Sequence, residues 1–264
     1  MRETFSSLTD EEYGRLLPEG IVLLGYRGSI AHNCYVPNTD PNSIDDKDIM
    51  GVFIPSIKNY FGLSNKTHHE VFIKEWDGVS YELRKYVNLL IKANPNVLSL
   101  LWLRPQHYMH IEPEGQMLLD NRNLFVTKRI YLSFTNYAKD QLARMERFNH
   151  EGYMGDKRKR LVEKHGYDTK NAGHLIRLLR MGTEFLDNGE LHVFREDSEE
   201  LLAIKRGEWT LEQVKADAER LFQRAEVAYG QCTLPEEPPV DKIEDLLYTM
   251  LDGYFKRTGD RVAR

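Results

Sequence analysis

The sequence has little cysteine, no long apolar run and no strong excess of either charge, and each shortage removes a class of protein. Two cysteines in 264 residues, Cys34 and Cys232, cannot build a disulfide scaffold, and neither sits in a CxxC or His-spaced metal pattern. Two reduced thiols in a cytosolic (cytoplasmic) protein are the simplest expectation. The longest apolar stretches, Gly20 to Gly25 and Val97 to Leu103, fall far short of the roughly 20 residues that cross a bilayer. No membrane partner is expected. The Ser-, Thr- and acid-bearing stretch after Arg2 and Glu3 does not read as a secretory leader. With 36 Lys and Arg against 41 Asp and Glu the net charge is −5, so any nucleic-acid binding would rest on local patches rather than on the sum. There is no internal repeat and no low-complexity tract.

What the chain does carry is a globular composition, 41% hydrophobic and 11% aromatic, with length for two small domains that each bury a core. After a helix over Thr9 to Leu17, the apolar run Gly20 to Gly25 is short and bracketed by glycines, which predicts a buried strand. Asp48 to Ile54 predicts a second strand, ended by Pro55. The partial alternation from His69 to Asp77 predicts a third, and helical spacing from Tyr81 to Leu90 predicts a helix stopped at Asn94 and Pro95. From about Leu118 onward the pattern is helical: Ile130 to Phe148, Lys170 to Asn188, Ser198 to Ile204, Leu211 to Tyr229 and Ile243 to Arg257. Thr210 reads as a cap, and Gly189 and Gly230 read as stops. The expected fold class is α+β, a small mixed-sheet domain over residues 1–117 followed by a helical domain over 118–264.

Chemistry concentrates between the first two strands. Gly28 and Ser29 form a turn in which a residue lacking Cβ lets backbone amides approach a phosphate. Asp46 and Asp48 open the second strand, where residues i and i+2 share a face with Cα atoms roughly 6.6 Å apart, so the carboxylates converge. Such hard oxygens suit Mg²⁺, which keeps open positions for phosphates. An acidic pair alone more often solubilises a loop, and a Gly-Ser pair alone is usually a plain turn. The order strand, Gly-Ser turn, carboxylate pair, apolar strand is what makes the combination informative. His68 and His69 alternate across a strand and do not suggest zinc, while Trp76, Trp102 and Trp209 suit core or edge packing.

These residues carry a resemblance. Gly28-Ser29-Ile30-Ala31 followed by Asp46-Lys47-Asp48-Ile49-Met50-Gly51-Val52 is similar to the GSxA…DxDxxGV pattern of DNA polymerase β-superfamily nucleotidyltransferases. More narrowly it resembles the predicted nucleotidyltransferase branch that includes the YcgL and RlaP proteins and phage relatives. Tyr81 to Lys85, Asn94 to Asn96, Tyr137 to Gln141, Lys170 to Leu179 and Ala203 to Trp209 fit the same branch, so the likeness runs from about Gly25 to about Trp209. Two departures are a longer loop from His32 to Asp45 and Ser99 where relatives often carry an acid.

The resemblance implies a polymerase β-like mixed sheet, Mg²⁺ or Mn²⁺ as cofactor, and transfer of a nucleoside monophosphate from an NTP to a hydroxyl. The first-choice acceptor is an RNA 3′ end in a repair setting. Protein or small-molecule AMPylation, or a non-catalytic nucleotide- or RNA-binding module, are the alternatives. Asp46 and Asp48 match the metal-binding carboxylates, and Gly28 and Ser29 match the phosphate-contacting turn. A third carboxylate is expected on a neighbouring strand as metal ligand and proton acceptor. Asp77, read as the end of the third strand, is the choice; Glu82 at a helix start and Glu75 deeper in the strand are the alternatives.

Basic residues supply the complementary charge. Lys170, His174 and Arg177 recur at i, i+4 and i+7 and so line one helix face, suited to a triphosphate across a cleft. Taken alone, such a stripe is as readily a solvated face. Lys157, Arg158, Lys159 and Arg160 are expected in an exposed loop that steers an RNA acceptor, and Lys139 and Arg144 on a helix face turned to the same cleft. The oligomeric state is left open.

Overall fold

The computed structural model describes residues 2–37, 47–63, 67–146 and 156–260. Helix α1 (Asp10–Leu16) begins with a capping box between Thr9 and Glu12 and leads into β1 (Ile21–Tyr26). A one-turn helix, α2 (Gly28–Ala31), precedes β2 (Lys47–Phe53) and α3 (Ile57–Phe61). Strands β3 (His68–Ile73) and β4 (Trp76–Glu82) form a hairpin, after which α4 (Leu83–Ile91) and α5 (Pro95–Leu98) lead to the short strand β5 (Tyr108–Ile111). The remaining described elements are helices, among them α6 (Pro113–Asp120), α7 (Arg129–Glu146), α8 (Asp156–His165), α9 (Thr169–Asn188), α10 (Ser198–Lys205), α11 (Leu211–Gln231) and α12 (Val240–Thr258). The fold is α+β.

The five strands make one mixed sheet in the order β3-β4-β2-β1-β5. Only β2 and β4 run parallel, and their register sets Asp48 opposite Asp77. β1 sits inside the sheet with Val22, Leu23 and Leu24 fully buried, as its unbroken apolar run requires. β2 is graded along its length: Lys47 and Asp48 are half-buried, and everything from Ile49 to Phe53 is buried. One end of the strand is anchored in the core while the other presents a carboxylate.

The largest apolar cluster continues from the sheet, through Val22, Val52 and Leu83, into the helices, through Phe134, Leu178, Phe185 and Met250. It runs across the expected boundary at 117/118. Helix α12 returns to the sheet half, where Arg257 Nη2 binds Glu114 Oε2 at 2.7 Å and the backbone N–H of Ile57 donates to Asp260 at 2.7 Å. A second cluster, including Leu175, Leu179 and Leu221, holds α9 against α10 and α11.

Three expectations are corrected, and one strand was not foreseen. The expected third strand is a hairpin, because Lys74 adopts φ +56° and the chain reverses at Lys74 and Glu75; Asp77 therefore belongs to the start of β4. Gly230 does not stop its helix, which runs to Gln231 and is capped at Cys232. Its backbone is helical there, and a glycine that keeps helical dihedrals merely costs propensity. The expected loop around Lys157 to Arg160 is the first half of α8. The short strand β5 and its pairing with β1 were not legible in a four-residue polar-apolar mixture.

Candidate active site

β1 ends at Tyr26, and the chain turns sharply through Arg27 into Gly28, whose φ of +60° suits a residue without Cβ. A second constraint bears on the same glycine. A Cβ built there would lie 2.2 Å from Asp48 Oδ2, so the turn and the carboxylate occupy touching positions. The backbone N–H of Arg27 donates to the Asp48 carbonyl at 3.0 Å and fixes the turn against β2. Ser29 Oγ is buried and has no hydrogen-bond partner among the described residues.

Asp48 and Asp77 are paired positions on adjacent parallel strands, so their side chains leave the sheet on one face, roughly 4.8 Å apart at the backbone. Arg27 joins them: its Nη2 lies 3.1 Å from Asp77 Oδ2 and 3.7 Å from Asp48 Oδ1. Asp46 lies outside the described residues. Glu82 is five residues further along β4, 2% exposed, and capping α4, with its carboxylate accepting from the backbone N–H groups of Arg84 and Lys85 at 2.8 and 3.2 Å and from the Tyr60 hydroxyl. Glu75 sits in the hairpin turn, paired with Lys47 at 2.9 Å. Of the three acids weighed as the third carboxylate, Asp77 is the one beside Asp48.

Facing this wall is α9, begun by Asp168, whose side chain accepts from the N–H of Asn171 at 3.1 Å, and ended by Gly189 in the left-handed conformation. Its apolar face is buried through Leu175, Ile176, Leu178 and Leu179, which leaves Lys170, His174 and Arg177 on the other. These three residues line a cavity of about 180 Å³ together with Gly28, Ser29 and Asp48. A contiguous space of about 110 Å³ adds Arg27, Asn96 and Ser99. The resemblance-bearing stretches meet here: Asn96 Nδ2 donates to the Tyr137 hydroxyl at 3.3 Å, and the Tyr137 ring meets His174 edge-on at 5.6 Å.

Arg177 has no carboxylate partner among the described residues. Its Nη1 donates to His32 Nε2 at 2.6 Å. His32 Nδ1 lies 2.8 Å from the Val193 carbonyl, which can only accept, so the proton sits on Nδ1 and Nε2 is left to receive Arg177. Burial, and then the charge of Arg177, push His32 well below the usual histidine value, so the ring is neutral. Burial also pushes Arg177 down to about 10, which leaves it cationic at neutral pH. A guanidinium held by a neutral ring rather than by an acid keeps its charge for an incoming anion.

Arg27, His32 and Lys205 were not singled out from the sequence. Lys205 reaches the cavity from the end of α10 and donates to the Cys34 carbonyl at 3.2 Å. The available signals were the adjacency of Arg27 to the Gly-Ser turn and the place of Lys205 within the stretch Ala203 to Trp209. Lys139 does not face this cavity; it lines a groove between α7 and α11 with Phe222 and Glu226. Of the basic run, Arg160 is exposed and Lys159 half-buried, and the side chains of Lys157 and Arg158 lie outside the described set. Successive residues step by about 100° around a helix, so four in a row cannot share one face. A separate cavity of about 690 Å³ is lined by Trp102, Phe194 and Arg195 among others and by none of the candidate carboxylates. Arg195 there is committed to Glu184 and Asp197 at 2.5 and 2.7 Å.

A divalent cation of the Mg²⁺ type fits this donor set. Asp48 and Asp77 offer hard carboxylate oxygens side by side, and a cationic group already bridges them.

The mixed sheet with its helices is an α+β fold consistent with a polymerase β-like nucleotidyltransferase. A family model described as RlaP, RNA repair pathway DNA polymerase beta family, matches residues 39–249, most of the chain, and the chain belongs to that family. The match takes in Asp46, Asp48, Asp77 and α9 and begins after Gly28 and Ser29. No curated protein and no solved structure matches the chain.

Proposed function

We propose that the protein moves a nucleoside monophosphate from an NTP to a hydroxyl at the 3′ end of RNA, with Asp46, Asp48 and Asp77 as the acidic centre. The observation that carries this reading is the register of β2 and β4, which sets Asp77 beside Asp48, and Asp48 lines a small cavity with Lys170, His174 and Arg177. Acids on one wall and cations on the other match what a triphosphate and its counter-ion require.

Mg²⁺ or Mn²⁺ held by Asp46, Asp48 and Asp77 would supply charge neutralisation at the phosphates and lower the pKa of a nearby hydroxyl. The protein's own groups do the rest. Lys170 and Arg177 bind phosphate oxygens through charge-assisted hydrogen bonds, and the backbone at Gly28 with the uncommitted Ser29 hydroxyl cradles the same chain. The acceptor oxygen forms its bond to the α-phosphorus as the bridging α–β P–O bond breaks. Pyrophosphate leaves with that electron pair, and the acceptor's proton passes to the Asp77 carboxylate, which is 40% exposed. Arg160 and Lys159, on the solvent side of α8, provide the start of an RNA path.

The deciding experiment incubates the protein with each NTP labelled at the α-phosphate, Mg²⁺ and RNA bearing a free or blocked 3′ end. Label in RNA that disappears when the 3′ hydroxyl is blocked is the expected result. Label in protein or in small molecules instead would move the acceptor to the AMPylation class, and no transfer from any NTP would leave a binding module.

A further inference from the structure

Arg27 occupies the space a divalent cation would need. Its Nη2 is 3.1 Å from Asp77 and 3.7 Å from Asp48, and two cations drawn to the same two carboxylates repel each other strongly at such range. The guanidinium is also incompletely satisfied: Arg27 Nε is buried and has no hydrogen-bond partner among the described residues. Such an atom is costly to leave unmade, and an anion placed beside it would be stabilised. The side chain borders the 110 Å³ space that it shares with Asn96, Ser99, His174 and Arg177, continuous with the cavity assigned to phosphates. An alternative anion position thus lies next to the present one.

Resting on the reading of Asp48 and Asp77 as the cation site, we propose that Arg27 is the resident counter-ion of that carboxylate pair. It yields the pair to a divalent cation when the phosphates of an NTP give its guanidinium another anion. Free metal then binds weakly, because it must displace Arg27 into a space that offers no anion. Nucleotide and metal strengthen each other's binding, and the coupling is reciprocal. The backbone of Arg27, hydrogen-bonded to Asp48, stays in place while the side chain exchanges partners.

The test measures Mn²⁺ binding to the nucleotide-free protein by electron paramagnetic resonance, in the wild type, Arg27→Gln, Arg27→Lys, Asp48→Asn and Asp77→Asn. Arg27→Gln should bind Mn²⁺ at least about fivefold more tightly than wild type, the lower end of usual couplings. Arg27→Lys, which keeps the charge, should stay near wild type. A non-hydrolysable NTP analogue, corrected for its own metal binding, should tighten Mn²⁺ binding in the wild type by more than in Arg27→Gln. Equal or weaker Mn²⁺ binding in Arg27→Gln overturns the proposal. Mn²⁺ binding that is unaltered in both Asp48→Asn and Asp77→Asn overturns instead the carboxylate site on which it rests.

Discussion

The two walls of the candidate site are built by different means. The cationic wall comes from one helix, so Lys170, His174 and Arg177 share a face by helical periodicity alone and would do so in any fold that keeps α9 intact. The acidic wall comes from two strands, and Asp48 meets Asp77 only because β2 and β4 pair in parallel with one particular register. A slip of one residue would turn one of the two carboxylates to the opposite face. A helix face tolerates local change and loses charge one residue at a time, whereas the strand pair depends on the packing that fixes register. Its anchors are the buried residues Ile49, Met50 and Val79 beyond the acids.

The largest expected effect breaks the acidic wall. Asp48→Asn or Asp77→Asn should lower NMP transfer by a factor of about 10³ or more, since a hard ligand or the proton acceptor is lost, while thermal unfolding changes little. Glu82→Gln is the contrast: it should keep transfer and lose roughly 0.5–2 kcal/mol of stability, because its carboxylate caps α4. The reverse pattern, with Glu82→Gln inactive and Asp77→Asn normal, would return the third-carboxylate role to the helix start. Gly28→Ala joins the damaging group, as its Cβ would enter Asp48 Oδ2 at a φ of +60°. Transfer assays alongside melting curves read both outcomes.

Breaking the cationic wall should be graded. Lys170→Ala and Arg177→Ala should each cost about 1.5–3 kcal/mol in kcat/KM for the NTP, roughly tenfold to a hundredfold. Unchanged kinetics in the double variant would make the stripe a solvated face.

The support behind that wall is expected to depend on pH. His32 is neutral in the fold with its pKa held well below the unfolded value, so the unfolded chain binds more protons as pH falls. The associated stability is complete above about pH 6.5 and is lost progressively below it. His32→Gln, an amide able both to donate and to accept, should flatten the melting-temperature profile between about pH 5 and 7. An identical profile in the variant would assign the acid loss to other groups.

The smallest effect concerns α8. Because its four cations are spread around a helix, replacing Lys157, Arg158, Lys159 and Arg160 together by Gln should remove only about one or two phosphate contributions of roughly −0.7 each from the salt slope of single-stranded RNA binding. A loss equivalent to four would mean that the run engages RNA as an extended segment, and no loss would take it off the RNA path.

Much of the fold was legible because its signals are local. Helices α7 and α9 to α12 follow apolar spacing, the capping box at Thr210 and Gln213 and the left-handed Gly189, all of which act within a few residues. The same locality made the α9 face and the Gly28, Ser29 and Asp48 cluster visible. The hairpin was misread because its turn has no Gly or Pro; Lys74 takes a positive φ that its sequence does not advertise. Cations invited a loop reading at α8, although Lys and Arg are sound helix formers.

Tertiary structure alone decided what lies against what. Strand pairing set Asp77, and not Glu82, beside Asp48, since an alternation pattern gives faces but not partners. Chain segments 145 residues apart met to set His32 against Arg177, and segments 50 apart set Arg27 against Asp77. No period or spacing encodes such contacts. They follow from the burial of an apolar core that draws sheet and helices together, and the polar groups left at its edge are paired by that packing.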